Sequence, residues 1–350
     1  MNINFYKNKK ILITGHTGFK GTWLTKILLM LGADVTGYSL EAPTTPSLYE
    51  TIEVGKNMNS VVGDIRDLQK LKKVFNEIQP EIVFHLAAQP IVRKSYEEPE
   101  YTYSTNVMGT VNVLECIREC DSVKSFVNVT TDKVYKNHEW EWGYRENEEL
   151  NGYDPYSNSK SCSELITHTY KRSFFKGRKI GISTARAGNV IGGGDYAPDR
   201  IIPDCVRAAI NKETIIIRNP NSVRPYQHVL EPLFAYLLIA EKQYIDNKYA
   251  DSYNVGPNEE NCITTGEIVK IFVNKWGQGL QWECNNVEGP HEANFLKLDC
   301  SKIKNKLGWF PKWSVEKAVE ATVEFSKINL EKTQILQEME KQINEYINSK

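Results

Sequence analysis

From residue 11 to residue 131, short β-branched runs alternate with longer stretches whose apolar positions recur every three or four residues. That alternation predicts parallel strands joined by crossover helices. Residues 11–14 (Ile-Leu-Ile-Thr) read as the first strand and residues 34–38 as the second. Residues 60–64, 82–86 and 125–131 continue the series, with helical spacing around 68–78 and 105–119. A further helix is expected to begin at Pro155, where Asp154 caps and proline suits the first turn, and to run through Lys160 and Glu164 toward Phe175. Residues 180–184 read as the next strand. The fold class is therefore α/β, a Rossmann-type doubly wound parallel sheet.

Beyond Arg186 the alternation breaks up around Gly192-Gly193-Gly194 and a series of prolines. Such a stretch suits a smaller, mixed α/β lobe that holds substrate, so residues 1–185 are assigned to dinucleotide binding. Residues 186–350 are assigned mainly to substrate, with segments returning to the first domain. Residues 315–347 carry apolar positions at helical intervals among Lys and Glu, as in an amphipathic helix or helix pair used for packing or subunit contact.

Composition narrows the class of function. At 350 residues the chain can bury a large core, and 43 Lys plus Arg nearly balance 44 Asp plus Glu. That balance argues against a nucleic-acid or membrane partner and for a small-molecule role. The seven cysteines are spread without the paired spacing of a zinc or redox site, so no metal is expected and a reducing cytoplasm is. The N-terminus has no apolar run of the signal-peptide kind, and residues 27–31 are too short to span a bilayer.

The first strand is followed at once by Gly15-His16-Thr17-Gly18-Phe19-Lys20-Gly21 and then by helical sequence. Gly15 permits a tight turn, Gly18 lets the backbone approach a pyrophosphate, and Gly21 allows close helix packing, while the helix N-terminus offers unpaired N–H groups. Ser39 or Glu41, after the second strand, could bind a ribose 2′-hydroxyl. No Arg or Lys occurs from Ser39 to Tyr49 to neutralise a 2′-phosphate, so NAD is expected rather than NADP. Asp64, with Ile65 beside it, is placed for an adenine contact or for a plain helix cap.

Tyr156 and Lys160 lie four residues apart on the helix expected from Pro155, hence on one face. An ammonium beside a phenol favours the phenolate, which suits Tyr156 to remove a hydroxyl proton as hydride leaves. With the glycine loop upstream, the chain resembles the extended short-chain dehydrogenase/reductase (NAD-dependent epimerase/dehydratase) family over nearly its whole length. His85-Leu86-Ala87-Ala88-Gln89-Pro90 matches the family's cofactor-lining segment, Asn106 its helix-bound Asn, and Thr131 its active-site hydroxyl.

Within the family, Thr131-Asp132-Lys133 resembles the nucleotide-sugar 4,6-dehydratases, whose acid after the Thr protonates a departing 6-hydroxyl. Lys133 stands where most members have Glu, the base for the C5 proton. With Trp140 to Glu146 and Ala185 to Asn189, this points to the branch acting on CDP-glucose. The resemblance implies Asp132 as the acid, Lys133 as the base or merely the partner of Asp132, and Gln89, Asn189, Arg218, Arg224, His228 and His291 as substrate-binding residues. It also implies a homodimer. The rival readings are a 4-epimerase or a dehydratase for another nucleotide sugar, and an NAD-sensing regulator without catalysis.

Overall fold

A computed structural model describes residues 1–285, 295–328 and 331–349. Seven parallel strands form one sheet: β1 (Lys10–Thr14), β2 (Asp34–Ser39), β3 (Asn59–Val62), β4 (Ile82–His85), β5 (Ser125–Thr131), β6 (Gly181–Ala187) and β7 (Ser252–Val255). Their spatial order is β7-β6-β5-β4-β1-β2-β3. The chain starts at β1, winds out to β3, then returns to β4 on the other side of β1. Neighbouring connections therefore diverge between β1 and β4, and a crevice opens at the carboxyl ends of those strands.

The expected elements form, with instructive differences. β5 and the helix Leu68–Ile78 coincide with their predicted spans. β6 runs on through Ala185-Arg186-Ala187, because Arg186 is neutralised inside the sheet by Glu164 at 2.9 Å. The helix expected at 105–119 is a π-helical turn, Ser104–Met108, leading into Gly109–Glu119. β6 crosses residues 185 and 186, and β7 returns from the second half of the chain to complete the sheet.

Side chains alternate between two apolar layers, as the pleat requires. Ile11, Ile13, Ile82, Phe84, Val127 and Val129 pack on the helices Phe19–Met30 and Leu230–Ile245. Leu12, Val83, Phe126 and Ile182 pack on the opposite layer with Leu71, Phe75, Leu114 and Ile117. A third core, built from Cys205, Ile215, Ile268, Phe272, Ala318 and Val319, belongs to the smaller lobe. There Val223–Pro225 pairs antiparallel with Cys262–Thr264, and Ile215–Ile217 pairs parallel with Trp282–Cys284. The C-terminal stretch is two helices, Val315–Ser326 and Lys332–Asn348, and the second buries Ile335, Met339, Ile343 and Tyr346 in the main core. No described helix is long and apolar enough to cross a membrane.

Candidate active site

The loop after β1 is shaped by its glycines. Gly15 has φ +78°, and a Cβ there would lie 2.7 Å from Ala87 N; a Cβ on Gly21 would lie 2.1 Å from Gly15 O. These two approaches bring the turn, the following helix and the end of β4 together, and only glycine permits them. A Cβ on Gly18 would meet nothing closer than Gly15 O at 3.5 Å, so the space before the helix N-terminus stays open. That open cradle, with N–H groups aimed into it, fits the pyrophosphate of a dinucleotide. At its rim Ser39 donates to Thr17 Oγ1 at 2.7 Å, and Thr17 donates to Leu40 O at 3.0 Å, leaving Ser39 oxygen lone pairs for a ribose hydroxyl.

Other expected cofactor residues are committed within the protein. Arg66 holds the Asp64 carboxylate at 2.7 Å and keeps its pKa below the usual range. Ile65 is buried against Gly109. Asn106 is also buried: its Oδ1 accepts from Gln89 N at 2.8 Å, and its Nδ2 donates to Ser159 at 2.9 Å. Asn106 thus ties the loop carrying Leu86, Ala87 and Ala88 to the Tyr156 helix. Gln89 corrects a sequence expectation: its amide is used by Thr102 at 2.9 Å and Ile91 N at 2.7 Å, and its side chain does not line the cavity.

The Tyr156 helix, Pro155–Ser173, starts where Asp154 Oδ1 accepts from Ser157 N at 2.9 Å, a cap worth about 1 kcal/mol. This start fixes Tyr156 in the wall of a cavity of about 870 Å³. Burial pushes the Tyr156 phenol up to about 12, with the Thr131 hydroxyl and Arg200 pulling the other way. Lys160 donates to Val129 O at 3.2 Å, and burial lowers its pKa to about 8 against the opposing pull of Glu164. The sequence expectation that Lys160 depresses the phenol is not met: burial dominates, Thr131 and Arg200 rather than Lys160 oppose it, and Lys160 turns to the strand carbonyl.

Thr131, Lys133, Asn189, Arg218 and Arg224 also line the cavity. Asp132 sits behind them, fully buried, its Oδ1 accepting from Thr131 Oγ1 and from Lys133 Nζ at 3.0 Å each. Lys133 also donates to Asn189 Oδ1 at 3.3 Å. Lys20, expected at the cofactor, lines the same cavity; burial, Arg200 and Lys160 lower its pKa to about 7.

Sequence reasoning missed Arg200 and Asp195, which pair at 2.9 Å on the cavity wall. The glycines before Asp195 were the available signal, since Gly193 passes under Phe325 and accepts from Trp23 Nε1 at 3.0 Å. His228 is a second correction. It is wholly buried between Trp23 and Trp313, and burial lowers its pKa to about 3, so it carries no charge to a phosphate. His291 lies outside the described residues.

Comparison with known proteins gives the family and the fold. The family model described as GDP-mannose 4,6 dehydratase matches residues 12–322. The CDP-glucose 4,6-dehydratase of Salmonella typhimurium is 47% identical over 99% of this chain and 98% of its own length. The CDP-paratose 2-epimerase of Salmonella typhi is 26% identical over 89% of this chain and 97% of its own. The crystal structure of dTDP-glucose 4,6-dehydratase from Bacillus anthracis with NAD superposes with TM-score 0.77 at 24% identity, covering 94% of this chain and 99% of that one. The Thermus thermophilus UDP-glucose 4-epimerase complex with NAD gives 0.79 at 23% identity, covering 91% and 98%, so the fold is shared well beyond close relatives. The chain belongs to the GDP-mannose 4,6 dehydratase family, within the extended short-chain dehydrogenase/reductases.

Proposed function

We propose that this chain converts CDP-glucose to CDP-4-keto-6-deoxyglucose and water, using bound NAD transiently. The observation that carries the reading is the Thr131-Asp132-Lys133 turn set beside Tyr156, in a cavity adjoining an open dinucleotide cradle. A 4-epimerase has no need of an acid for a 6-hydroxyl, and the 47% identical relative is a CDP-glucose 4,6-dehydratase.

Bound NAD supplies a hydride acceptor that is regenerated in each turn. Gly15, Thr17, Gly18, Phe19, Lys20 and Gly21 would hold it, with Ser39 at the ribose and Leu86 to Ala88 along its length. Tyr156 accepts the proton of the 4-hydroxyl, with the Thr131 hydroxyl and Arg200 drawing its pKa down. Oxidation at C4 acidifies the C5–H bond, so the next residues needed are a base for C5 and an acid for O6. The Asp132–Lys133 pair supplies both. Asn189, Arg218 and Arg224 take the substrate pyrophosphate, where charge-assisted bonds are strongest.

Tyr103, Met108 and Leu165 are exposed on adjoining helices beside the sheet, which supports a homodimer through that face. Seven free thiols favour a reducing cytoplasm. Incubating the chain with CDP-, UDP-, dTDP- and GDP-sugars and recording product mass tests the reading. Loss of water from CDP-glucose in preference to the others is expected; its return unchanged, or only epimerised, would overturn the assignment.

A further inference from the structure

Three charged side chains meet in the cavity wall without hydrogen-bonding. Asp199 Oδ1 lies 3.6 Å from Arg93 Nε and 3.7 Å from a terminal nitrogen of Arg218, beyond hydrogen-bond range. All three residues line the cavity, and their side chains are 34–37% exposed. Arg93 comes from the short helix Val92–Glu97 after β4, and Arg218 follows the strand Ile215–Ile217 of the smaller lobe. Asp199 sits between them, in the loop before the helix Ile201–Asn211. Two guanidiniums from the two lobes therefore flank one carboxylate oxygen.

Resting on the dehydratase reading, we propose that Arg93 joins Arg218 in a clamp on the nucleotide sugar's pyrophosphate, and that Asp199 is a built-in competitor which the pyrophosphate displaces on binding and which returns as product leaves. A phosphate takes paired, charge-assisted N–H bonds from a guanidinium, whereas Asp199 at these distances takes none. Its hold on two part-exposed guanidiniums is of the weak surface kind. Arg93 makes no hydrogen bond among the described residues, so its donors are open to a ligand. The competitor can swing while its loop stays in place. Arg200, the next residue, is tied at 2.9 Å to the buried Asp195 carboxylate, which pins the backbone. Asp199 itself has φ +57°, a left-handed conformation that Asp and Asn adopt more readily than other side chains.

The neighbouring charges leave this clamp to a ligand. Asp204, in the first turn of Ile201–Asn211, is in electrostatic reach of Arg93, but its own partner is Arg207. Among the described residues, Asp199 is thus the one carboxylate paired with Arg93 or Arg218. The cofactor's phosphates are not the anion concerned, because Gly15, Thr17, Gly18 and Ser39 of the cradle do not line this cavity, whereas Asn189 and Arg224 do.

The test titrates CDP into the full chain saturated with NAD, and NAD into the chain alone, both by calorimetry. Asp199→Asn keeps the side chain's shape and backbone preference and removes only its charge. It is expected to bind CDP at least about threefold more tightly than wild type, since two weak pairs no longer have to be broken. Arg93→Gln is expected to bind CDP at least about tenfold more weakly. NAD affinity should stay at the wild-type value in both variants, which also shows that each is folded. A residue that merely shaped the loop would weaken CDP binding when changed, so the sign of the Asp199→Asn effect separates the two roles. CDP binding by Asp199→Asn no tighter than wild type, undiminished binding by Arg93→Gln, or an equal shift in NAD affinity would overturn the clamp and its competitor. A wild-type chain that binds no CDP would overturn the CDP-glucose reading and the clamp with it.

Discussion

Glu164 to Gln tests how the catalytic turn is held. Glu164 and Arg186 are both almost wholly buried, 2.9 Å apart, and the same carboxylate accepts from Thr130 at 2.5 Å and Thr184 at 2.7 Å. Thr130 immediately precedes Thr131 and Asp132, and Arg186 donates to Tyr135 OH at 2.8 Å, which in turn donates to Asn254 at 2.6 Å. Removing one charge of such a pair costs about 3–5 kcal/mol, because the other stays buried without compensation. One threonine hydroxyl also loses its acceptor, adding about 1–3 kcal/mol. Arg186 Nε already lacks a partner, so the guanidinium has little to fall back on. Urea unfolding followed through the seven tryptophans is expected to register a loss of about 5 kcal/mol. Removing both charges, with Glu164→Leu and Arg186→Met together, is expected to restore much of it. Burial raises the Glu164 pKa, but Arg186 and the hydroxyls outweigh it and hold it below its ordinary value. The carboxylate's contribution is therefore complete above pH ~4.3 and lost as pH falls through the lower folded value, so wild type and Glu164→Gln should converge in acid. A loss below about 1 kcal/mol at neutral pH would refute the reasoning.

Three further outcomes follow from the same geometry. Gly18→Ala is expected to leave the melting temperature near wild type while weakening NAD binding, whereas Gly21→Ala, whose Cβ would meet Gly15 O at 2.1 Å, is expected to lose both; equal effects would contradict the cradle. His16, His85 and His228 are buried and neutral, with burial lowering their pKa values to about 4, 3 and 3. Their unfolded forms take up protons below pH ~6.5, so stability should fall by up to about 4 kcal/mol per pH unit as acid is added, a slope that acid titration of unfolding measures. His228→Gln should reduce stability and leave the KM for nucleotide sugar unchanged.

What the sequence disclosed was periodic or fixed in spacing. β5 and Leu68–Ile78 were legible because apolar side chains recur at the strand and helix periods, and the glycine loop because three glycines answer three separate steric demands. The end of β6 was hidden, since a charged residue reads as surface until Glu164 on another element neutralises it. His228, Gln89 and Asp132 were placed by resemblance to the family's motifs, which is silent on direction. His228 turns between two tryptophans, Gln89 to its own loop, and Asp132 away from the cavity behind Lys133. Arg200 and Asp195 reach the wall from an irregular loop that carries no period to read.

In the proposed cycle hydride moves from sugar C4 to bound NAD and returns to C6, and CDP-glucose carrying deuterium at C4 tests this most directly. The account expects the deuterium at C6 of the 4-keto-6-deoxy product, with no net reduced nicotinamide released. Deuterium found still at C4, lost to solvent, or carried off on free NADH would contradict it.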